Sequence, residues 1–240
     1  MQVYLTRGHI IEVNEISTQI KGGWWSKLQA QSNDDLLNPN GQEDIEYVSK
    51  LLSGIDNPIL FDVGANVGMF TLLASIHKTL RVHAFEPSLH MVPIIMENCG
   101  MNKVLDRVTV NEIALYNEDT QVILKIPIVS PLAGLATIGN PQRYTHWINT
   151  PVSALKLDTY MEKMNLHQIN VVKIDTEGAE LGILQGAEQT LRDFRPHVIC
   201  EVYYKNTHQL GYEPKEIMDF MFSLGYQSTW ISKENVHFYM

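Results

Sequence analysis

The sequence predicts an α/β fold whose mostly parallel sheet is covered by helices on both faces. Three observations point there. From Ile59 onward, short β-rich runs alternate with helical patterns, the sign of parallel strands joined by crossover helices. The runs that end at Asp62 and Asp175 are largely apolar, as strands buried on both faces are. At 240 residues and 45% hydrophobic composition, the chain is long enough to bury one large core.

The elements follow in order. Val3 to Val13 alternates like a strand or hairpin, Gly22-Gly23-Trp24-Trp25 marks a turn with two aromatics, and Glu43 to Leu52 has helical spacing. Residues 1–53 are too few for an independent domain and are expected to cap a main domain over 54–240. There, strands are expected at Ile59 to Asp62, Arg81 to Glu86, Val108 to Ala114, Val171 to Asp175 and His197 to Tyr203. Helices are expected at Met69 to His77, Leu89 to Gly100, Leu157 to Met164 and Ala179 to Phe194. Turn residues from Asn117 to Thr120 lead into an extra strand at Val122 to Ile126. Pro127 to Pro151 is rich in Pro and Gly with little periodicity. Long irregular connections of this kind are usually functional or disordered, and Arg143, Tyr144, His146 and Trp147 favour a substrate-facing loop. Pro214 to Leu224 is spaced as a helix, and Tyr226 to Met240 reads as an antiparallel hairpin finishing the sheet.

Composition excludes several classes. A net charge of -9 with no block of Lys or Arg argues against nucleic acid as a partner. No apolar run approaches the roughly 18 residues that span a bilayer, and Met1 to Arg7 lacks the order of a signal peptide. A cytoplasmic protein with no membrane partner is expected. Cys99 and Cys200 belong to no metal-spaced pair and read as small buried thiols.

The richest segment runs from Ile59 to Phe70. A strand that stops at Asp62, turns on Gly64 and Gly68 and enters a helix presents free N-terminal amides to a ligand carboxylate or phosphate. A dinucleotide turn needs a middle glycine for close approach of a pyrophosphate, and Asn66 stands there instead. The loop better suits S-adenosylmethionine, which has a carboxylate, an ammonium and no phosphate. Glu86, about twenty positions past Gly64, fits an acceptor for ribose hydroxyls in either cofactor. Lys173 to Glu180 then places several carboxylates at a strand end, an edge that favours a cationic ligand, while Glu177 and Glu180 also fit plain complementation of a helix dipole.

These segments, with Leu184-Gln185-Gly186-Ala187 and Pro196 to Glu201, resemble the FkbM-type methyltransferases, a class I S-adenosylmethionine-dependent family, across roughly residues 40–205. The resemblance implies a seven-stranded, three-layer Rossmann-like class I methyltransferase sheet and O-methylation of a hydroxyl, often on a sugar or glycosylated metabolite. By position, Asp62, Gly64, Ala65, Asn66 and Gly68 would form the methionine-binding turn, and Glu86 with Pro87 the ribose end. Asp175 would lie near the cofactor's amino-acid end, and Ala114 would offer the adenine backbone contacts only.

Methyl transfer from a sulfonium needs alignment and removal of the acceptor proton. Asp175 and Glu177 are the first candidates for that base, followed by Glu201 and His146, with His9 and His197 behind them. Asp175, Glu177 and Glu201 are also hard oxygen ligands suited to magnesium, an alternative that spacing does not establish. Trp24, Trp25, Tyr144 and Trp147 would pack on a sugar face or anchor the cap. A small-molecule or glycan acceptor is the expected partner, with a homodimer left open. An NAD-linked Rossmann oxidoreductase and a non-catalytic binding module are the competing readings.

Overall fold

Strands with apolar side chains on both faces need a cover above and below, and the helices supply it. The computed structural model describes residues 2–6, 9–13, 39–128, 136–140 and 146–240. An antiparallel hairpin, β1 (Gln2–Thr6) and β2 (His9–Glu12), precedes α1 (Pro39–Ser53). Then come β3 (Ile59–Val63), a 3-10 turn (Thr71–Ser75), β4 (Arg81–Phe85), α2 (Val92–Met101) and β5 (Val108–Asn111). Next are β6 (Ala114–Leu115), β7 (Thr120–Pro127), β8 (Trp147–Leu155), α3 (Leu157–Lys163), β9 (Val171–Ile174), α4 (Glu180–Gln185) and α5 (Glu188–Phe194). The chain closes with β10 (His197–Glu201), α6 (Tyr204–Thr207), α7 (Pro214–Ser223), β11 (Gln227–Trp230) and β12 (Asn235–Tyr239).

Seven strands form the main sheet in the order β11-β12-β10-β9-β3-β4-β5. β10, β9, β3, β4 and β5 run parallel, and β12 is antiparallel to both of its neighbours. Side chains alternate between two cores. Leu60, Val82, Ala84, Val171 and Ile199 pack with α1, α2 and the 3-10 turn, and Leu5, Ile11 and Val13 of the N-terminal segment join them. Phe61, Val63, Phe85, Val172, Ile174 and Val198 face α3, α4, α5 and α7. Cys99 and Cys200 are buried free thiols.

Four elements differ from expectation, each for a local reason. The run Val108 to Ala114 is two strands, because β5 loses its partner where β4 ends and Asn111 Nδ2 turns back to the Ala84 carbonyl at 3.0 Å. Ala114 instead pairs with Ala154 in a second, three-stranded sheet of order β6-β8-β7. The far end of the 127–151 connection is regular, since β8 begins at Trp147. The helix expected over Ala179 to Phe194 breaks at Gly186, where a Cβ would lie 2.0 Å from the Tyr116 carbonyl oxygen. There α5 restarts with its Gln189 and Thr190 amides bound to the Asp158 carboxylate at 3.1 and 2.8 Å. The fourth, the 3-10 turn over part of Met69 to His77, belongs to the site below.

Gly186→Ala is expected to destabilise the chain by about 1–3 kcal/mol through overpacking against Tyr116. In α2, where an added Cβ meets its nearest atom at 3.6 Å, Gly100→Ala is expected to be neutral or to stabilise by up to about 1 kcal/mol. Urea unfolding of the two variants checks the contrast, and equal effects would contradict the close approach.

Candidate active site

β3 lies beside β9, and the chain leaves the pair toward opposite edges of the sheet, so their C-terminal ends open on a crevice. Asp62 pairs with Lys173 and Val63 with Ile174 at these ends. Gly64 then turns with φ of 79°. A Cβ on it would lie 2.0 Å from the Asp175 carbonyl oxygen, so glycine is what lets the turn after β3 rest on the turn after β9.

The glycine turn is held from several sides. The Gly64 and Ala65 amides both donate to the Phe85 carbonyl at 3.0 Å, and the Gly68 amide donates to the Ala65 carbonyl at 2.7 Å. The Asn66 amide donates to Glu86 Oε2 at 2.8 Å, and the Val67 carbonyl accepts from the buried Asn98 side chain of α2 at 2.8 Å. Asp62 Oδ2 captures the Thr71 amide at 2.9 Å and its hydroxyl at 2.6 Å. The Leu73 and Ile76 amides then reach three residues back, which produces a 3-10 turn in place of an α-helix. Within the turn itself, the amides of Gly64, Ala65, Asn66 and Gly68 are occupied within the fold and are not among the free helix N-terminal amides that were expected. Asp62 is 2% exposed, and burial, offset by Thr71 and the Lys173 charge, pushes its carboxyl up to about 6. It shapes the turn from beneath.

Glu86 ends the neighbouring strand. Its Oε1 accepts the Ser88 amide at 2.9 Å, as its Oε2 accepts that of Asn66, while Pro87 between them has no amide to offer. A carboxylate has about four lone-pair sites, so two remain for ligand hydroxyls. Burial pushes the Glu86 carboxyl up to about 7, against the lowering effect of the two amides.

The acidic edge follows β9. The Asp175 amide donates to the Val63 carbonyl at 3.0 Å, and its carboxylate, 31% exposed, lies 3.4 Å from Lys173 Nζ. Glu177 adopts φ of 56°, a left-handed conformation that costs a non-glycine residue about 1–2 kcal/mol. Its carbonyl accepts from the Thr137 hydroxyl at 2.9 Å, which lays part of the 127–151 connection against the crevice. Glu180 is the structural acid of the group. Buried, it binds the Thr176 amide and hydroxyl at 2.9 Å and the Gly178 amide at 3.2 Å. Glu201 ends β10 and accepts from the Asn206 side chain at 2.8 Å. Burial, then the charges of Asp175, Glu180 and Glu177, holds its carboxyl well above the usual carboxylate range.

The structure therefore brings Asp175, Glu177 and Glu201 to one edge. His197 opens β10 at the opposite end and binds His237 at 3.0 Å. His9 binds Thr6 in the N-terminal hairpin, within electrostatic range of His77, which precedes β4. Both histidines are thereby removed from the candidate bases. Among the described residues no three His, Cys, Asp or Glu side chains converge as a metal site would, which leaves the magnesium alternative without a centre there. Trp147 lies at the start of β8 with the Lys125 ammonium 5.7 Å from its ring centre, and His146 precedes it. Trp24, Trp25, Arg143 and Tyr144 lie outside the described residues. Three contributors went unnoticed in the sequence: Thr71, Asn98 and Lys173. Only Lys173 left a signal, as a charge inside an otherwise apolar strand.

Residues 62–228 match the model of the methyltransferase FkbM domain. The chain is 25% identical to Methyltransferase 1 of Beauveria bassiana over 72% of its own length and 80% of that protein. It is likewise 25% identical to the hexuronic acid methyltransferase AglP of Haloferax volcanii, over 89% of its own length and 82% of that protein. Its fold is similar to the crystal structure of methyltransferase FkbM from Methylobacillus flagellatus, with a TM-score of 0.53 and 18% identity. There 80% of this chain is covered, and it spans 47% of the solved one.

The Glu86 carboxyl gives a signed prediction. Its native pKa, about 7, lies above the ordinary 4.5, so the stability tied to its protonation is present below pH 4.5 and is lost as pH rises through 7. Across that window the wild type is expected to lose about 2–3 kcal/mol relative to Glu86→Gln. Asp62 titrates with the same sign in both proteins, and its charge is one of the influences on Glu86. Urea unfolding from pH 4.5 to 8 measures it, and parallel curves would contradict the buried carboxyl.

Proposed function

The chain belongs to the FkbM methyltransferase family, and from that premise we propose that it methylates a hydroxyl oxygen of a sugar or glycosylated metabolite with S-adenosylmethionine as donor. The observation that carries the cofactor reading is the Glu86 carboxylate. It is fixed by two amides, keeps two free lone-pair sites, and stands beside the glycine turn at a sheet crevice. A ribose diol presents two hydroxyls that fit those sites. The partly exposed Asp175 carboxylate suits an ammonium. S-adenosylmethionine, when bound, supplies an electrophilic methyl on a sulfonium.

The chain's own residues would do the rest. Glu86 orients the nucleoside end, and Asp175 orients the amino-acid end. An acceptor hydroxyl needs a base within about 3 Å of its proton. Asp175 and Glu177 are proposed for that proton because both stand at the crevice, and Glu177 holds a strained backbone there, a pattern concentrated at functional sites. The segment around Thr137 and Trp147 would lie over the acceptor. Similarity to a hexuronic acid methyltransferase over 89% of the chain supports a sugar acceptor.

Thermal unfolding is expected to show stabilisation by S-adenosylmethionine and by S-adenosylhomocysteine, about 2.7 kcal/mol at a hundredfold excess over Kd, with no shift from NAD. A response to NAD alone would overturn the cofactor. Mass spectrometry over sugars, glycolipids and small alcohols should find a methylene-sized mass gain on an oxygen. Gain confined to amine or carbon acceptors would overturn the acceptor.

A further inference from the structure

Among the described residues Lys173 is the one lysine or arginine that is buried, at 1% exposure. An ammonium has three protons to place, and this one finds three acceptors: Asn235 Oδ1 at 3.0 Å, the Ile174 carbonyl at 3.3 Å and Asp175 Oδ2 at 3.4 Å. It also lies 5.4 Å from the centre of the Phe70 ring, so a single cation touches both the segment after the glycine turn and the acidic edge. The network continues outward. The Asn235 side-chain amide donates to Asp44 Oδ2 at 2.9 Å, and Asp44, 4% exposed, belongs to α1.

We propose that Lys173 is the positioning residue of the site, fixing the Asp175 carboxylate at the crevice and coupling it through Asn235 and Asp44 to the N-terminal helix. The proposal rests on Asp175 serving the cofactor's amino-acid end. A carboxylate on a strand-end turn is free to rotate. One paired to an ammonium whose stem is packed inside β9, and whose other protons are engaged, has one of its two oxygens held. Burial disfavours the Lys173 charge, and the negative charges of Asp175, Asp44 and Glu201 outweigh it and raise the ammonium's pKa above the usual lysine value. A neutral side chain here would leave those acids with no buried counter-charge among the described residues.

A double-mutant cycle tests this. S-adenosylmethionine is titrated by calorimetry into wild type, Lys173→Met, Asp175→Asn and the double variant, with urea unfolding of the same four proteins. Lys173→Met is expected to weaken affinity about tenfold in the wild-type background and less than about twofold beside Asp175→Asn, as coupled neighbours behave. Equal losses in both backgrounds would mean packing alone and overturn the proposal. If the wild type takes no S-adenosylmethionine, the cofactor reading fails, and the unfolding cycle still decides the coupling, additive effects overturning it. Should Lys173→Met not fold, the nitrogen-15 resonance of the Lys173 ammonium is compared between wild type and Asp175→Asn. A displaced resonance supports the pair and an unmoved one overturns it.

Discussion

The contact between Gly64 and the Asp175 carbonyl is the constraint on which the site depends. With a would-be Cβ only 2.0 Å from that oxygen, any side chain would push the turn after β3 away from β9. The loss would spread at once. The Gly64 and Ala65 amides would leave the Phe85 carbonyl, the Asn66 amide would leave Glu86, and the acidic edge would no longer face the glycine turn. One missing methyl group thus sets the geometry of three strand ends.

Around that contact the chain buries more carboxylate than a core tolerates without compensation. Asp44, Asp62, Glu86, Glu180 and Glu201 are all under 10% exposed, and burial raises the pKa of each. The compensation differs from acid to acid. Asp62 and Glu180 bind nearby amides and hydroxyls and so build turns. Glu86 binds two amides and keeps acceptor capacity, which makes it suited to a ligand. Asp175, less buried than these, takes a cation. The division between acids that build turns and acids that keep acceptor capacity lies in this partnering.

The layers and most of the parallel strands were legible because apolar runs and crossover spacing are local signals. So were Glu86 and Asp175, each ending such a run. What the sequence hid was decided by distant partners. Nothing near Gly186 announces that Tyr116 lies against it, so the split of α4 from α5 was invisible. The 3-10 turn after Gly68 depends on Asp62 reaching Thr71, which outcompetes the helical spacing of Met69 to His77. The roles of Asn98 and Lys173 depend on which loop each faces, and His197 was separable from Glu201 only once β10 had a direction. The family match and the fold agree with the seven-stranded reading.

The central claim is that the β3 and β9 strand ends hold an adenosyl cofactor between Glu86 and Asp175. The structure of the complex with S-adenosylhomocysteine tests it most directly. The ribose diol is expected within hydrogen-bond distance of Glu86 and the amino-acid end beside Gly64 and Asp175. A ligand seated elsewhere, or one whose ribose makes no contact with Glu86, would contradict the account.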